Sequence, residues 1–225
     1  MSPVLCTTQA QQQLPADLDW LTTGERERLD GFRFDKRRRD WLLGRWAAKN
    51  ALLGISGLAT SDISRFEVDS APNGAPVPRL DGRPYPVSLS LSHSKDRAFS
   101  AVSSEAVALG CDIELVEPRS DVFVETYFTE SERADVEAVN PSDRDALVTK
   151  IWSAKESTLK ALQTGLQADT RSVEVVDDGK RMSKDWGIAR TIVRDDGELS
   201  CLWRLCDDFV LTIATRGIAE APEER

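Results

Sequence analysis

From Thr22 to Leu53 the apolar positions recur at helical spacing, clearest in "WLLGRWAAKNALL", which follows the basic run Lys36-Arg37-Arg38-Arg39. The pattern predicts a helical N-terminal region with one cationic edge. Between Ser70 and Pro86 five prolines and three glycines break any periodicity, which predicts a long, stiffened loop. Period-two alternation then appears in "VSLSLSHS", where Val87, Leu89 and Leu91 alternate with serines, and "AVALGCDIEL" reads as a second, more apolar strand. After Pro118 the pattern is helical again through Thr149 to Leu162. The remainder, "SVEVVDDG", "ARTIVRDDG", "ELSCLWRLCDD" and "FVLTIAT", repeats strand and turn. This order predicts an α+β chain of two similar halves, residues 1–117 and 118–225, joined near Val116 to Asp121, although no fixed-period repeat is visible.

The 225 residues are enough for one large or two small cores without metal or disulfide staples. The chain has 38 acidic and 29 basic residues, a formal charge of −9, which excludes a protein that coats nucleic acid by bulk charge; any anion must meet a local basic patch. Cys6, Cys111, Cys201 and Cys206 form no C-x-x-C pair, and with a single histidine they do not complete a Cys/His metal site. Reduced thiols, no secretory signal and no apolar run of ~18 residues place the chain in the cytoplasm, away from membranes.

Within "GCDIEL" a strand sends Gly110, Asp112 and Glu114 to one face, so two carboxylates converge. Such a pair suits Mg²⁺, which takes one or two carboxylates and fills its other positions with water and phosphate oxygens; the same pair also reads as the solvent face of an edge strand. In "WSAKESTLKAL" Trp152, Glu156 and Lys160 share a helix face by their i, i+4, i+8 spacing, while Ile151, Leu159 and Leu162 form a packing stripe. Glu156 and Lys160 also read as an ordinary surface ion pair. His93 lies between Ser92 and Ser94, where imidazole, hydroxyls and backbone N–H groups suit a phosphate, or a structural role. There is no G-x-S-x-G elbow, and "GRWAAKN" lacks the second glycine of a phosphate-binding loop. Before any resemblance, these residues indicate Mg²⁺-dependent phosphate chemistry.

"SLSHS" at 90–94, "GCDIE" at 110–114 and "WSAKESTLK" at 152–160, in this order, resemble the signatures of the Sfp-type 4′-phosphopantetheinyl transferases. "RFDKRRRDWLLGRWAAKNAL" is similar to that family's basic helix, and the resemblance runs from about Thr22 to Thr215. It implies a pseudo-twofold α+β fold with the active site at the interface of its halves. It implies transfer of the phosphopantetheine arm of coenzyme A to a serine of an apo acyl or peptidyl carrier protein, leaving adenosine 3′,5′-bisphosphate, by a monomer. At matching positions it implies Asp112, Glu114 and Glu156 as Mg²⁺ ligands, Glu156 also as general base, and Lys160 on the phosphate oxygens. Ser92 and His93 would grip the 3′-phosphate or neighbouring oxygens, with Lys36, Arg39 and Arg28 supplying further cations. Ala75 stands where relatives often carry a cation, with Arg79 or Arg83 to compensate, and Asp40 stands where some are basic. The segment 161–170 is the expected carrier contact. A Mg²⁺-dependent coenzyme A or nucleotide hydrolase, and an inactive coenzyme A- or carrier-binding relative, are the rivals.

Overall fold

The computed structural model describes residues 4–164, 168–182, 185–216 and 221–224. It divides into two compact units, Met1–Val107 with Pro222–Arg225, and Ala108–Ala221.

In the first unit, strand β1 (Leu5–Ala10) precedes helices α1 (Thr23–Asp30) and α2 (Asp35–Ser56). Five strands follow: β2 (Phe66–Ser70), β3 (Pro76–Leu80), β4 (Arg83–Pro84), β5 (Ser88–Ser94) and β6 (Arg97–Ser103). A short C-terminal strand, β12 (Glu223–Glu224), runs parallel to β1 and completes a sheet of order β12-β1-β6-β5; β2-β3-β4 form a second. Thr22 starts α1 with a capping box: its hydroxyl accepts from Glu25 N–H and its own N–H donates to the Glu25 carboxylate. Gly57, in the left-handed region at φ 71°, ends α2. The apolar face of α2, with Leu42, Ala48, Ala51 and Leu52, packs into a core with Trp20, Leu29, Phe66 and Val102.

The second unit has the same order of parts. Strand β7 (Leu109–Leu115) leads to helices α3 (Asp121–Tyr127), α4 (Glu130–Ala138) and α5 (Arg144–Ala161). Strands β8 (Val173–Arg181), β9 (Gly187–Val193), β10 (Gly197–Cys206) and β11 (Phe209–Thr215) complete a sheet ordered β7-β11-β10-β9-β8. Thr129 and Glu132 form the capping box of α4. Val148, Ile151, Ala154 and Leu159 of α5 are buried against this sheet.

Two expectations are corrected, and two further strands appear. The proline-rich segment is not all loop: Pro76 and Pro78 lie in β3, whose pairing with β2 tolerates them, while β4 is a two-residue edge. Strands β1 and β6 had no clear alternation in the sequence; Thr7 and Ser100 are buried although polar. The boundary expected at 117 falls before β7, because that strand pairs with β11 of the second unit.

Candidate functional site

The second unit gathers its charged side chains where α5 crosses β7. Gly110 makes this crossing possible: a Cβ there would lie 1.9 Å from the Ser157 carbonyl oxygen and 2.5 Å from Ala161 N. Ser153 on α5 fixes the next contact, its hydroxyl 2.9 Å from that of Thr212 on β11, which also bonds the Ser153 carbonyl. With the backbones this close, Asp112 is 2 % exposed and accepts from Lys160 Nζ at 2.7 Å. Lys160 also reaches the Cys111 carbonyl at 3.2 Å and lies 3.9 Å from Glu156 Oε2. Glu114, one step along the same strand face, hydrogen-bonds the Trp152 side chain and lies 3.4 Å from Arg119. The face shared by Trp152, Glu156 and Lys160 therefore covers the strand face of Asp112 and Glu114, and the solvent-face reading of that strand is set aside.

Helix α5 is held in rotation by a second, buried pair. Lys155 is fully buried and binds Glu132 Oε2 at 2.8 Å, the Thr170 carbonyl at 3.0 Å and the Val173 carbonyl, while Glu132 Oε1 accepts from Val175 N–H at 2.9 Å. Burial pulls the Lys155 ammonium down and the Glu132 carboxylate opposes it. Lys155 is thus structural, and it fixes the direction in which its neighbour Glu156 points. Trp152 closes the other side through Phe123 and Tyr127, ring centroids 5.0 and 5.1 Å away.

The electrostatics of the cluster are those of crowded acids. Burial, then the Asp112 charge, push the Glu156 carboxyl up to about 7 against the pull of Lys160. Burial and Asp112 also raise Glu114, which Arg119 and Trp152 partly offset. For Lys160 burial works against the charge, but Asp112, Cys111 and Glu156 outweigh it and hold the ammonium above its usual value. The donor set is hard oxygen, which suits Mg²⁺. Among the described residues no group of three or more His, Cys, Asp or Glu side chains is gathered to hold a metal ion. Mg²⁺ needs only one or two carboxylates when phosphate and water complete its shell, so the residues present fit it.

The first unit has a cleft of about 710 Å³, lined by Arg28, Lys36, Arg37, Arg45 and His93, by one acid, Asp40, and by Phe32, Phe34 and Trp41. Arg28, Lys36 and His93 were expected there. Arg39 is exposed but outside the lining, and Ser92, between the lining residues Leu91 and His93 on β5, turns to the opposite face and is buried. The sequence reading missed Arg37 and Arg45, although Arg37, Trp41 and Arg45 follow one another at helical i, i+4, i+8 steps. Arg45 is 5 % exposed, stacks over the Trp41 ring at 4.9 Å and reaches Ser70 Oγ at 3.4 Å. No carboxylate lies within ion-pair distance of it among the described residues, and burial brings it down to about 10. A buried guanidinium bound to neutral groups is poised for an anion. Arg79 is held by Asp69 at 2.7 Å and, like Arg83, is not in the lining, so neither replaces the cation absent at Ala75.

Of the expected carrier segment, residues 165–167 lie outside the described residues. No helix among the described residues is long and apolar enough to cross a membrane.

The chain is thus a mixed α+β protein with a cluster of buried acids and a lysine where one strand and one helix cross. Residues 108–214 match the family model of the 4′-phosphopantetheinyl transferase superfamily. It is 30% identical over 139 residues to a 4′-phosphopantetheinyl transferase of Bacillus subtilis, covering 59% of this chain and 61% of that one. It is 29% identical over 126 residues to the 4′-phosphopantetheinyl transferase AcpT of Salmonella typhimurium, covering 55% and 58%. The chain thus spans about three-fifths of the length of the curated relatives it matches. Among solved structures, a holo-(acyl-carrier-protein) synthase from Bacillus anthracis in complex with coenzyme A (3′,5′-ADP) aligns at 22% identity with a TM-score of 0.39, covering 49% of this chain and 98% of that one.

Proposed function

We propose that the protein transfers the 4′-phosphopantetheine arm of coenzyme A to a serine of an apo acyl or peptidyl carrier protein. The observation that carries this reading is the cluster of Asp112, Glu114, Glu156 and Lys160 inside the residues that match the superfamily model. Asp112 and Glu114, with Glu156 at the margin, would hold Mg²⁺. When bound, Mg²⁺ supplies positive charge to the diphosphate and eases departure of its leaving phosphate.

The serine oxygen attacks the phosphorus that bears the pantetheine arm. The phosphorus–oxygen bond of the diphosphate breaks, and adenosine 3′,5′-bisphosphate leaves. Glu156, raised to near neutrality, accepts the serine proton. Lys160, kept charged by Asp112, offers a fixed cation to the phosphate oxygens as their charge grows. In the first unit, Arg28, Lys36, Arg37, Arg45 and His93 supply an anion site suited to the nucleotide phosphates, and Trp41, Phe32 and Phe34 give it apolar walls. Arg45, buried and met by the Glu25 and Asp69 charges only beyond ion-pair distance, offers that cleft a cation for a phosphate.

The test is mass spectrometry of candidate apo-carriers incubated with the protein, coenzyme A and Mg²⁺. A carrier that gains the phosphopantetheine mass on serine supports the reading. Release of nucleotide without an acceptor would make the protein a hydrolase, and coenzyme A bound without transfer to any carrier would make it an idle relative.

A further inference from the structure

The two units share a set of corresponding residues around their long helices. Helices α2 and α5 each carry Trp-x-Ala-Lys, at Trp46–Lys49 and Trp152–Lys155. Each lysine is fully buried and bound to the capping-box glutamate of a preceding helix, Glu25 for Lys49 and Glu132 for Lys155. Each glutamate accepts from a backbone N–H on the strand that follows the long helix, Val68 and Val175, 43 residues further on in both cases.

With the tryptophans and lysines aligned, Asn50 falls at the position of Glu156 and Gly54 at that of Lys160. The strands give the other two counterparts. Trp46 Nε1 donates to Gln9 Oε1 at 3.1 Å, as the Trp152 side chain hydrogen-bonds Glu114, so Gln9 answers to Glu114. Thr7, two residues earlier, pairs with Ser100 on β6 as Asp112 pairs with Thr212 on β11. Thr7 is 1 % exposed and Asp112 2 %, and the Gln9 amide reaches Thr7 Oγ1 at 3.2 Å. Every charge of the acid cluster is thereby matched by a neutral residue: threonine for aspartate, glutamine and asparagine for the glutamates, glycine for lysine.

The other site has diverged in the opposite direction. A groove of about 240 Å³ in the second unit is lined by Asp143, Leu147 and Leu205 among others, at the counterpart positions of Arg37, Trp41 and His93 in the cationic cleft. The cationic cleft thus belongs to the first unit and the acid cluster to the second.

We infer that Thr7, Gln9 and Asn50 form a silenced divalent-cation site, an oxygen-bearing copy of the acid cluster without its charge, which carboxylates at positions 9 and 50 would reload. This rests on the reading of Asp112, Glu114 and Glu156 as ligands of a divalent cation. The substitutions Gln9→Glu, which is isosteric, and Asn50→Glu, one methylene longer, fall on partly exposed residues and meet no competing lysine at Gly54.

The test uses Mn²⁺ alone as the probe, on the full chain with the acid cluster emptied by Asp112→Ala and Glu114→Ala. This background is expected to bind no Mn²⁺ at sub-millimolar concentration. Addition of Gln9→Glu and Asn50→Glu is expected to restore one ion per chain with at least about tenfold tighter binding, since two carboxylates suffice for such an ion. Paramagnetic broadening should then fall on the indole N–H resonance of Trp46 and leave that of Trp152 sharp. Gln11→Glu with Gln12→Glu, the same added charge on exposed positions, should gain nothing. The inference is overturned if the rebuilt chain binds no better than its background, if the Gln11/Gln12 control binds equally well, or if the emptied background itself holds an ion that broadens Trp46. Should the four-residue variant fail to fold, Gln9→Glu with Asn50→Glu in the wild-type chain gives the same decision by whether a second Mn²⁺ per chain is bound and broadens Trp46 beyond the wild-type protein. Wild-type protein without Mn²⁺ binding would sink the metal reading of the acid cluster and leave the outcome at position 9 to be read separately.

Discussion

Glu156 is a carboxyl in a field made by burial and by Asp112, and its rise to about 7 has a cost in stability. A carboxyl raised in the folded state contributes stability that is fully present below its unfolded value of 4.5 and lost as pH rises through about 7. The full loss is about 3 kcal/mol at ~1.4 kcal/mol per unit. Glu156→Gln should therefore raise the urea midpoint of the metal-free protein at pH 8, have little effect at pH 4, and lose its advantage when Mg²⁺ is added. The same change should cut transfer by about 100-fold or more, the size of a lost general base, while nucleotide binding holds. A full transfer rate in Glu156→Gln would remove it as base and as ligand. His93→Ala should raise KM for coenzyme A more than it lowers kcat, as expected of a residue in the cleft wall. The acids and Lys160 were legible because strand and helix periodicities put them on defined faces. Arg45 was not, because its significance lies in burial without a carboxylate, a property of its surroundings rather than of any motif.

At the scale of elements, the contact between α5 and β7 depends on one missing side chain. Gly110→Ala would drive a Cβ into backbone atoms of α5 that have no rotamer to change, at an expected cost of about 3 kcal/mol and with Asp112 displaced from Lys160. Chemical denaturation checks the first consequence and loss of transfer the second. The clasp beneath is equally exacting: Lys155→Met leaves the Glu132 carboxylate buried and unpaired, an expected loss of about 3–5 kcal/mol. Adding Glu132→Leu should recover only part of it in urea melts, because Glu132 also accepts from the Thr129 and Val175 N–H groups; full recovery would show that those two bonds contribute nothing. The long helices were readable from their apolar period. Strands β1 and β6 were hidden because their buried faces include threonine and serine satisfied by neighbouring groups, and β3 because its prolines disguise an accommodating strand.

Across the molecule, an overall charge of −9 coexists with a cleft of four cationic side chains and His93 in one unit and an acid cluster in the other. Coenzyme A binding should weaken as salt rises, because the cleft attracts phosphate through charges that ions screen over about 10 Å at 0.1 M. A KM for coenzyme A indifferent to ionic strength would remove the cations from that role. The order of elements indicates two halves, and their likeness shows in the equivalent clasps of Trp46–Lys49 and Trp152–Lys155. Side chains replaced by neutral or apolar ones leave no motif behind.

Strand β12 bears on any attempt to dissect the protein. It pairs with β1 through Leu5 and Cys6, so the piece of chain that finishes the first sheet is translated after the whole of the second unit. A fragment stopped at Val107 would present an uncovered β1 margin with free peptide groups, ready to recruit a neighbouring chain. Such a fragment should elute as self-associated species, and supplying the Pro222–Arg225 segment through a short tether at its amino end should return it to a single-chain form.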